Sequence, residues 1–228
     1  MRFKDKIKSI INSKKDLFVS PKDKFEMIYK TNHWGDAESV SGPGSKLEVT
    51  ETLRKELSML FLKYNICSII DAPCGDFNWM KKMDLSNVEY CGIDIVEELV
   101  EKNHKHYSKS GIKFIYKNIL KDHLPKADLI LCRDCLPHFS YSNVFSAVNN
   151  FVKSGSKYLL TSSYPLNAEN HDIVTGGWRK INFSKPPFNF PEPIYIIDEK
   201  SPDYIENGRN KDKRLFMWKL DDLKDYLK

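Results

Sequence analysis

The sequence predicts an α/β domain built around a mostly parallel sheet that is buried on both faces. Two observations carry this prediction: five short, continuous apolar runs follow residue 65, and segments of helical length separate them. Strands that alternate with helices in this way form βαβ units, whose sheets are covered on both sides. A chain of 228 residues is long enough for one such domain with a decorated end.

The predicted strands and helices follow one another in a regular order. Strands are predicted at residues 66–71, 88–95, 112–116, 127–132 and 157–161, and two later ones at 194–197 and 215–220. Helices are predicted at residues 50–64, 76–83, 96–107, 141–152 and 221–227. The helix at residues 50–64 is justified by one apolar face, which carries Leu53, Leu57, Leu60, Phe61 and Tyr64.

Residues 165–192 break this pattern. They are rich in Pro, Gly, Asn and aromatic residues, with Gly176, Gly177 and Trp178 in succession. The segment is too long for an ordinary connection, so the sequence predicts a functional loop with some structure of its own.

Composition excludes several classes of protein. No apolar run approaches the ~20 residues of a membrane-spanning helix, and the lysine-rich residues 1–18 do not resemble a secretory signal. The five cysteines are an odd number and lie mostly in predicted strands, which favours a reducing cytoplasm over a disulfide framework. Residues 1–30 hold nine Lys and Arg against four acids. Such a basic arm could contact nucleic acid or an anionic membrane, but a solvated helix face is the simpler interpretation.

Acids at the ends of the first two predicted strands indicate a nucleoside-binding site. The first strand ends at Asp71 and turns at Gly75, where a glycine lets the backbone approach a ligand. The second strand ends at Asp94, 23 residues after Asp71. A carboxylate in that position can accept hydrogen bonds from both hydroxyls of a ribose.

The charge beside this turn indicates which nucleoside binds. Dinucleotides place a pyrophosphate at the start of the helix that follows the first strand, but this sequence has Asp76 there and Phe77 in place of a glycine. An acid repels phosphate and suits a ligand with a positive centre. S-adenosylmethionine (SAM) is an adenosine with a sulfonium and an ammonium group and no phosphate, so the charge favours SAM over NAD.

Four segments, in the order of the strands, resemble the motifs of the class I SAM-dependent methyltransferases. These segments are Asp71-Ala72-Pro73-Cys74-Gly75 with the following Asp76 and Phe77, Gly92-Ile93-Asp94-Ile95, Lys117-Asn118-Ile119, and Asp128 to Phe139 with Arg133. Pro73 and Phe77 replace glycines that are usual in the family, and Asn118 replaces a more common aspartate. The resemblance implies that these segments bind SAM.

The resemblance also implies an architecture. It predicts a Rossmann-like, seven-stranded, mostly parallel sheet in the order 3-2-1-4-5-7-6, with an antiparallel seventh strand and helices on both faces. Residues 1–45 would form an N-terminal helical arm and lid segment, and residues 46–228 the SAM-binding domain. The segment from Asn32 to Ser45 resembles that of a bacterial subgroup, which implies that it folds over the site, with Trp34 and Ser41 or Ser45 near the cofactor.

Three residues after the fourth strand are candidates for the chemistry. His138 can act as a base near neutral pH or serve as a packing or capping residue. Asp134 can act as a base, cap a helix or hold the methionine ammonium, and Arg133 can bind a carboxylate or an anionic acceptor. Cys132 and Cys135 have a C-x-x-C spacing, but without a second pair we predict packing there and no metal site.

The predicted function is transfer of a methyl group from SAM to an oxygen or nitrogen of a small polar acceptor, such as a sugar, a nucleotide-linked or a phosphorylated metabolite. Tyr29, Trp34, Trp178 and Phe188 are candidates for an aromatic wall around that acceptor. Two alternatives stay open. One is an RNA or protein methyltransferase that uses the basic arm, which we consider the weaker hypothesis, and the other is a SAM-binding protein without catalysis.

Overall fold

The computed structural model describes residues 19–200, 202, 208 and 210–227. Its strands are β1 (Ser68–Asp71), β2 (Glu89–Asp94), β3 (Ile112–Tyr116), β4 (Leu129–Cys132), β5 (Tyr158–Ser163), β6 (Tyr195–Asp198) and β7 (Arg214–Lys219). They form one sheet in the order β3-β2-β1-β4-β5-β7-β6. β7 runs antiparallel to both of its neighbours, while the other neighbouring strands are parallel. The predicted fold class and strand order are confirmed.

Helices cover the sheet and its ligand-facing edge. They are α1 (Pro21–Lys30), α2 (Glu51–Tyr64), α3 (Glu97–Tyr107) and α4 (Tyr141–Lys153), with shorter 3-10 helices at Pro43–Ser45, Met80–Lys82, Leu136–His138 and Leu220–Tyr226. The last of these corresponds to the short terminal helix predicted at residues 221–227. Ser20 accepts a hydrogen bond from the backbone of Asp23 at the start of α1, and α2 ends at Asn65 in a left-handed conformation.

The α-helix predicted at residues 76–83 is wrong. The chain turns after β1 and forms only the 3-10 helix at Met80–Lys82. Phe77 has a φ of +58°, and its ring packs in the core against Tyr90 and Phe114. Because a left-handed residue cannot continue a right-handed helix, the aromatic residue at this position turns the chain instead.

Apolar cores lie on both faces of the sheet. On one face, α4 buries Val144, Val148 and Phe151 together with aromatic residues of the 165–192 segment. On the other face, α2 buries its predicted apolar residues against β1, β4 and the late strands. No helix within residues 19–200 or 210–227 is both long and apolar enough to cross a bilayer.

The 165–192 segment contains turns and bends but no helix or strand. It runs beside the 3-10 helix after β4, where the Gly176 amide donates to the His138 carbonyl and the Arg179 amide to the Pro137 carbonyl. These bonds fix the segment to the loop that carries the candidate histidine.

Candidate active site

A pocket opens at the carboxyl ends of β1 to β4 and encloses about 1100 Å³, including its mouth. Most predicted site residues line it: Tyr29, Trp34, Ser41, Asp71, Pro73, Cys74, Gly75, Asp76, Asp94, Ile95, Asn118, Ile119, Arg133, Asp134 and His138. The strand-end motifs and the N-terminal segment therefore meet in one cavity.

Four predicted site residues do not line the pocket. Ala72 is buried and donates its backbone amide to Leu131, and Phe77 faces the core. Phe188 is 1% exposed and packs on the ring of Phe183, while Trp178 packs edge to face on Tyr164. Phe188 fills the core, so its predicted acceptor contact is wrong, while Trp178 is partly exposed outside the pocket lining and its acceptor contact stays a prediction.

The turn after β1 requires a glycine. Gly75 has a φ of +53°, and a Cβ atom added there would lie 2.2 Å from Oγ of Ser41. Its amide donates to Oδ2 of Asp94 at 3.1 Å, and its carbonyl accepts from Nδ2 of Asn103 at 2.7 Å. Gly75 therefore adjoins the N-terminal segment on one side and the end of β2 on the other.

Two buried carboxyl groups lie at the ends of β1 and β2. Asp94 also accepts from the Val96 amide at 3.0 Å, but burial raises the pKa of Asp94 to about 6. Burial likewise raises the pKa of Asp71 to about 7, although the Tyr90 hydroxyl donates to Asp71 at 2.7 Å and opposes the shift. A ligand that donates hydrogen bonds or carries positive charge here would favour the ionised forms.

Residues 34–46, which we call the cap, form one wall of the pocket. The carboxylate of Asp76 holds the middle of the cap by accepting from Oγ of Ser39 at 3.0 Å, the amide of Val40 at 3.1 Å and Oγ of Ser41 at 3.2 Å. Asp76 therefore anchors the cap instead of starting a helix, which corrects the sequence prediction. Asp76 still lines the pocket, so its negative charge still disfavours a pyrophosphate there.

A second anchor involves Glu38 and Asn78. Oε1 of Glu38 accepts from the Leu47 amide and from Nδ2 of Asn78, both at 2.8 Å. Nδ2 of Asn78 also donates to the carbonyl of Ser45 at 3.1 Å. The cap is thus tied to the turn after β1 at both its beginning and its end.

Four charged side chains, which we call the ion cluster, lie beside the end of β4. Arg133 donates through Nε and Nη2 to the carboxylate of Glu199 at 2.9 and 2.8 Å, and through Nη2 to the carbonyl of Gly44 at 2.9 Å. Nζ of Lys213 lies 2.7 Å from Oδ2 of Asp134 and 3.0 Å from Oε2 of Glu199. The cluster is electrically balanced and ties the cap to the sheet.

This arrangement changes the predicted roles of two residues. The guanidinium of Arg133 is occupied by Glu199, Gly44 and Asp134, so it is not free to bind a ligand carboxylate. Burial alone would raise the pKa of Asp134, but the adjacent Arg133 and Lys213 cations hold it well below its usual range. A carboxylate that stays ionised in this way is suited to hold a cation and poorly suited to accept a proton.

His138 lines the pocket and carries one unprotonated ring nitrogen. Its Nδ1 lies 2.7 Å from the carbonyl oxygen of Gly177, and because a carbonyl only accepts, Nδ1 must carry the proton. Nε2 of the neutral ring is then an acceptor. Burial lowers the pKa of His138 below its ordinary 6.5, so the ring is neutral at pH 7 and above. The ring of Trp34 lies 5.4 Å away, centroid to centroid.

Several contributing residues were not predicted from the sequence. These are Asn78, Asn103, Glu199 and Lys213, and also Phe25 and Ile28 of α1, which line the pocket. Only Asn103 gave a signal, as a polar residue on the buried face of a predicted helix. The basic arm at residues 1–18 lies outside the described residues, and the lysines Lys22 and Lys30 of α1 pair with Glu26.

Solved structures identify the fold. Human N-acetylserotonin methyltransferase in complex with SAM has a TM-score of 0.55 at 14% identity, over 75% of this chain and 52% of the human chain. The chain has a methyltransferase fold. The matched part of this chain spans about half the length of the human enzyme. A SAM-dependent methyltransferase from Clostridium acetobutylicum has a TM-score of 0.53 at 11% identity, over 74% of this chain and 91% of its own.

A third neighbour is the methyltransferase domain of bacterial CtHen1, with a TM-score of 0.55 at 12% identity over 75% of this chain and 98% of its own. These likenesses establish the class I methyltransferase fold. No protein-family model and no curated protein sequence matches the chain. The bacterial-subgroup resemblance of the cap, the division at residue 45 and the cytoplasmic location stay predictions.

Proposed function

We propose that the protein transfers the methyl group of SAM to a hydroxyl oxygen of a small acceptor, with Nε2 of His138 accepting the hydroxyl proton. The observation that carries the proposal is the shared pocket of His138 and the strand-end carboxyl group of Asp94. The fold and the SAM complex of the human neighbour support it. No described contact favours the alternatives that use the basic arm or lack catalysis.

The pocket fits SAM by shape and by charge. Gly75 keeps the turn after β1 free of a side chain, and four aspartates line the walls: Asp71, Asp76, Asp94 and Asp134. Carboxyl groups suit a ligand that carries a sulfonium and an ammonium group and no phosphate. In this proposal Asp94 accepts the ribose hydroxyls, and Asn118 and Ile119 at the end of β3 contact the adenine.

Methyl transfer needs positioning and, for a hydroxyl acceptor, a base. SAM supplies a methyl group already activated by the sulfonium. In this proposal the cap and the turn at Gly75 hold the donor in line with the acceptor. Such positioning supplies most of the rate acceleration. In this proposal Asp134, which is 30% exposed and already accepts from Ser162 and Lys213, uses a remaining lone pair to accept from the methionine ammonium. His138 is fixed by Gly177, so that Nε2 faces the hydroxyl of the acceptor.

Replacing Asp94 by alanine tests the cofactor assignment. We expect the Kd for S-adenosylhomocysteine (SAH) to rise by at least about tenfold, because charge-assisted hydrogen bonds each contribute roughly 1.5–3 kcal/mol. Isothermal calorimetry measures this change, with Asp225→Asn, an exposed acid of the C-terminal 3-10 helix, as the control. An unchanged Kd in Asp94→Ala, or displacement of SAH by NAD, would contradict the proposal.

The same titration should depend on pH. Ligand binding favours ionised Asp94, whose pKa is about 6 in the free protein, so SAH affinity should rise as the pH increases through 6. Asp71, with a pKa of about 7, should add a second rise. Asp94→Asn removes the first ionisation and should therefore flatten the profile around pH 6.

Replacing Gly75 by alanine should displace the cap. The new Cβ would collide with Ser41, and the left-handed conformation of the residue adds about 1–2 kcal/mol of strain. Loss of the Ser41–Asp76 contacts should raise the Kd for SAH by about tenfold, measured by calorimetry.

A matched control is Gly155→Ala. Gly155 also has a positive φ, +71°, but an added Cβ meets only Lys126, at 3.9 Å. This variant should lose stability on thermal unfolding through strain alone and keep its SAH affinity. Gly75→Ala should cost less SAH affinity in a Ser41→Gly background, where the collision is absent. Equal losses in both backgrounds would show that the collision is not the cause.

A further inference from the structure

The part of the pocket beside His138 is built from rings. Phe25 of α1 packs on Phe139 with centroids 5.8 Å apart, and Trp34 of the cap packs on His138 at 5.4 Å. All four residues line the pocket, together with the apolar side chain of Ile28. α1 and the cap therefore add an aromatic wall beside His138, after the end of β4.

The part of the pocket beside His138 offers no free cation to an anionic ligand. Of the pocket-lining residues that the structure describes, only Asp134 and Arg133 carry charge at the end of β4. Arg133 is already held by Glu199 and Asp134. Lys117 follows β3, which is three strand spacings, roughly 14 Å, from β4 in the sheet order.

Arg179 is a buried cation near His138 that does not line the pocket. It is 1% exposed, donates to the Phe139 carbonyl and lies 5.0 Å from the Tyr141 ring centroid, and its charge helps to lower the pKa of His138. A phosphate or carboxylate beside His138 would thus lie near Asp134 without a free cation of the pocket wall to bind it.

The acidity of the acceptor provides a third, independent constraint. A neutral imidazole with a pKa below 6.5 is a weak base, and it takes a proton more readily from an acidic hydroxyl. Phenolic hydroxyls have an ordinary pKa of about 10, whereas an alkyl hydroxyl is close to bulk water at about 15.7.

We infer that the methyl acceptor is an uncharged aromatic molecule with a ring hydroxyl, whose ring packs against Trp34 and Phe25 while the hydroxyl faces His138. This inference rests on the proposed function and replaces the sugar or phosphorylated acceptor that the sequence predicts. An oxygen lone pair of the hydroxyl forms the new O–CH3 bond, and the S–CH3 bond breaks with its electron pair left on sulfur. The hydroxyl proton moves to Nε2 of His138 and then to solvent, and SAH is released as the neutral thioether.

The test compares related probes on the SAH-loaded protein by calorimetry. The probes are 2-naphthol, its saturated analogue decahydro-2-naphthol, its anionic analogue 6-hydroxy-2-naphthoate, glucose and glucose 6-phosphate. We expect 2-naphthol to bind at least about tenfold more tightly than each of the others. With SAM in place of SAH, mass spectrometry should detect O-methylation of 2-naphthol and none of glucose 6-phosphate.

Variants test whether 2-naphthol binds at the aromatic wall. Trp34→Leu keeps an apolar side chain and removes the ring, so the Kd for 2-naphthol should rise by about fivefold or more while the Kd for SAH changes by less than about twofold. Trp178→Leu, a tryptophan outside the pocket, is the matched control and should leave both constants unchanged.

The outcomes separate this inference from the proposed function. SAH binding together with preferred binding of glucose 6-phosphate or of the naphthoate would overturn the inference alone. An equal loss of SAH and 2-naphthol affinity in Trp34→Leu would also overturn it, since the ring would then serve the cofactor. Failure of the wild-type protein to bind SAH would contradict the proposed function itself.

Discussion

Replacing His138 by glutamine is expected to slow methyl transfer by at least about 100-fold at pH 7.5, while the Kd for SAH stays nearly unchanged. A positioned base contributes ~10²–10⁴-fold, and a side-chain amide cannot take up the proton. Glutamine can still donate to the carbonyl of Gly177, so the loop should keep its shape. The rate of SAH formation from SAM and 2-naphthol measures the effect, and calorimetry measures SAH binding.

The pH profile separates a base from a packing residue. Because burial lowers the pKa of His138, the wild-type rate should be constant near neutral pH and fall only below pH 6.5. The rate of His138→Gln should not show this fall below pH 6.5. The control is His106→Gln on the exposed face of α3, which should behave as wild type. A normal rate in His138→Gln would remove His138 as the base.

Replacing Glu199 by glutamine should lower the free energy of unfolding by about 3–5 kcal/mol, the usual cost of breaking a buried ion pair from one side. The side chain of Glu199 is 0% exposed and meets both Arg133 and Lys213. Removing its charge leaves two buried cations with only Asp134 to balance them. Urea unfolding measures the loss.

The neighbouring acid provides the control. Asp198 pairs with Arg214 at 3.0 Å, but its side chain is 42% exposed, so Asp198→Asn should change the free energy of unfolding by only about 0–1 kcal/mol. If Glu199→Gln does not fold, Lys213→Met can be added, since the double variant restores charge balance and should recover stability. A loss below about 1 kcal/mol in Glu199→Gln, or no recovery in the double variant, would contradict this account of the ion cluster.

The sequence predicts the sheet and the strand-end residues well because both follow from local patterns. Apolar runs mark each strand, and the residue after each run lies at the ligand-binding edge of a parallel sheet. Asp71, Asp94, Asn118 and His138 therefore meet in the pocket as the spacing of the strands predicts.

Contacts between distant parts of the chain could not be predicted in the same way. Glu199 and Arg133 are 66 residues apart, and Lys213 and Asp134 are 79 residues apart, so no local pattern connects them. Phe188 shows a related limit of prediction from local sequence. An aromatic residue in a glycine- and proline-rich loop has the same local sequence signal whether it binds a ligand or fills the core.

The ion cluster has a consequence for how the protein is made. It joins Gly44 in the cap, Arg133 after β4, and Glu199 and Lys213 beside the last two strands. During translation, β1 to β4 and the cap leave the ribosome long before Glu199 and Lys213 do. The nascent chain thus carries most of the pocket lining early, but it fastens the cap through Arg133 only after Glu199 and Lys213 have been made.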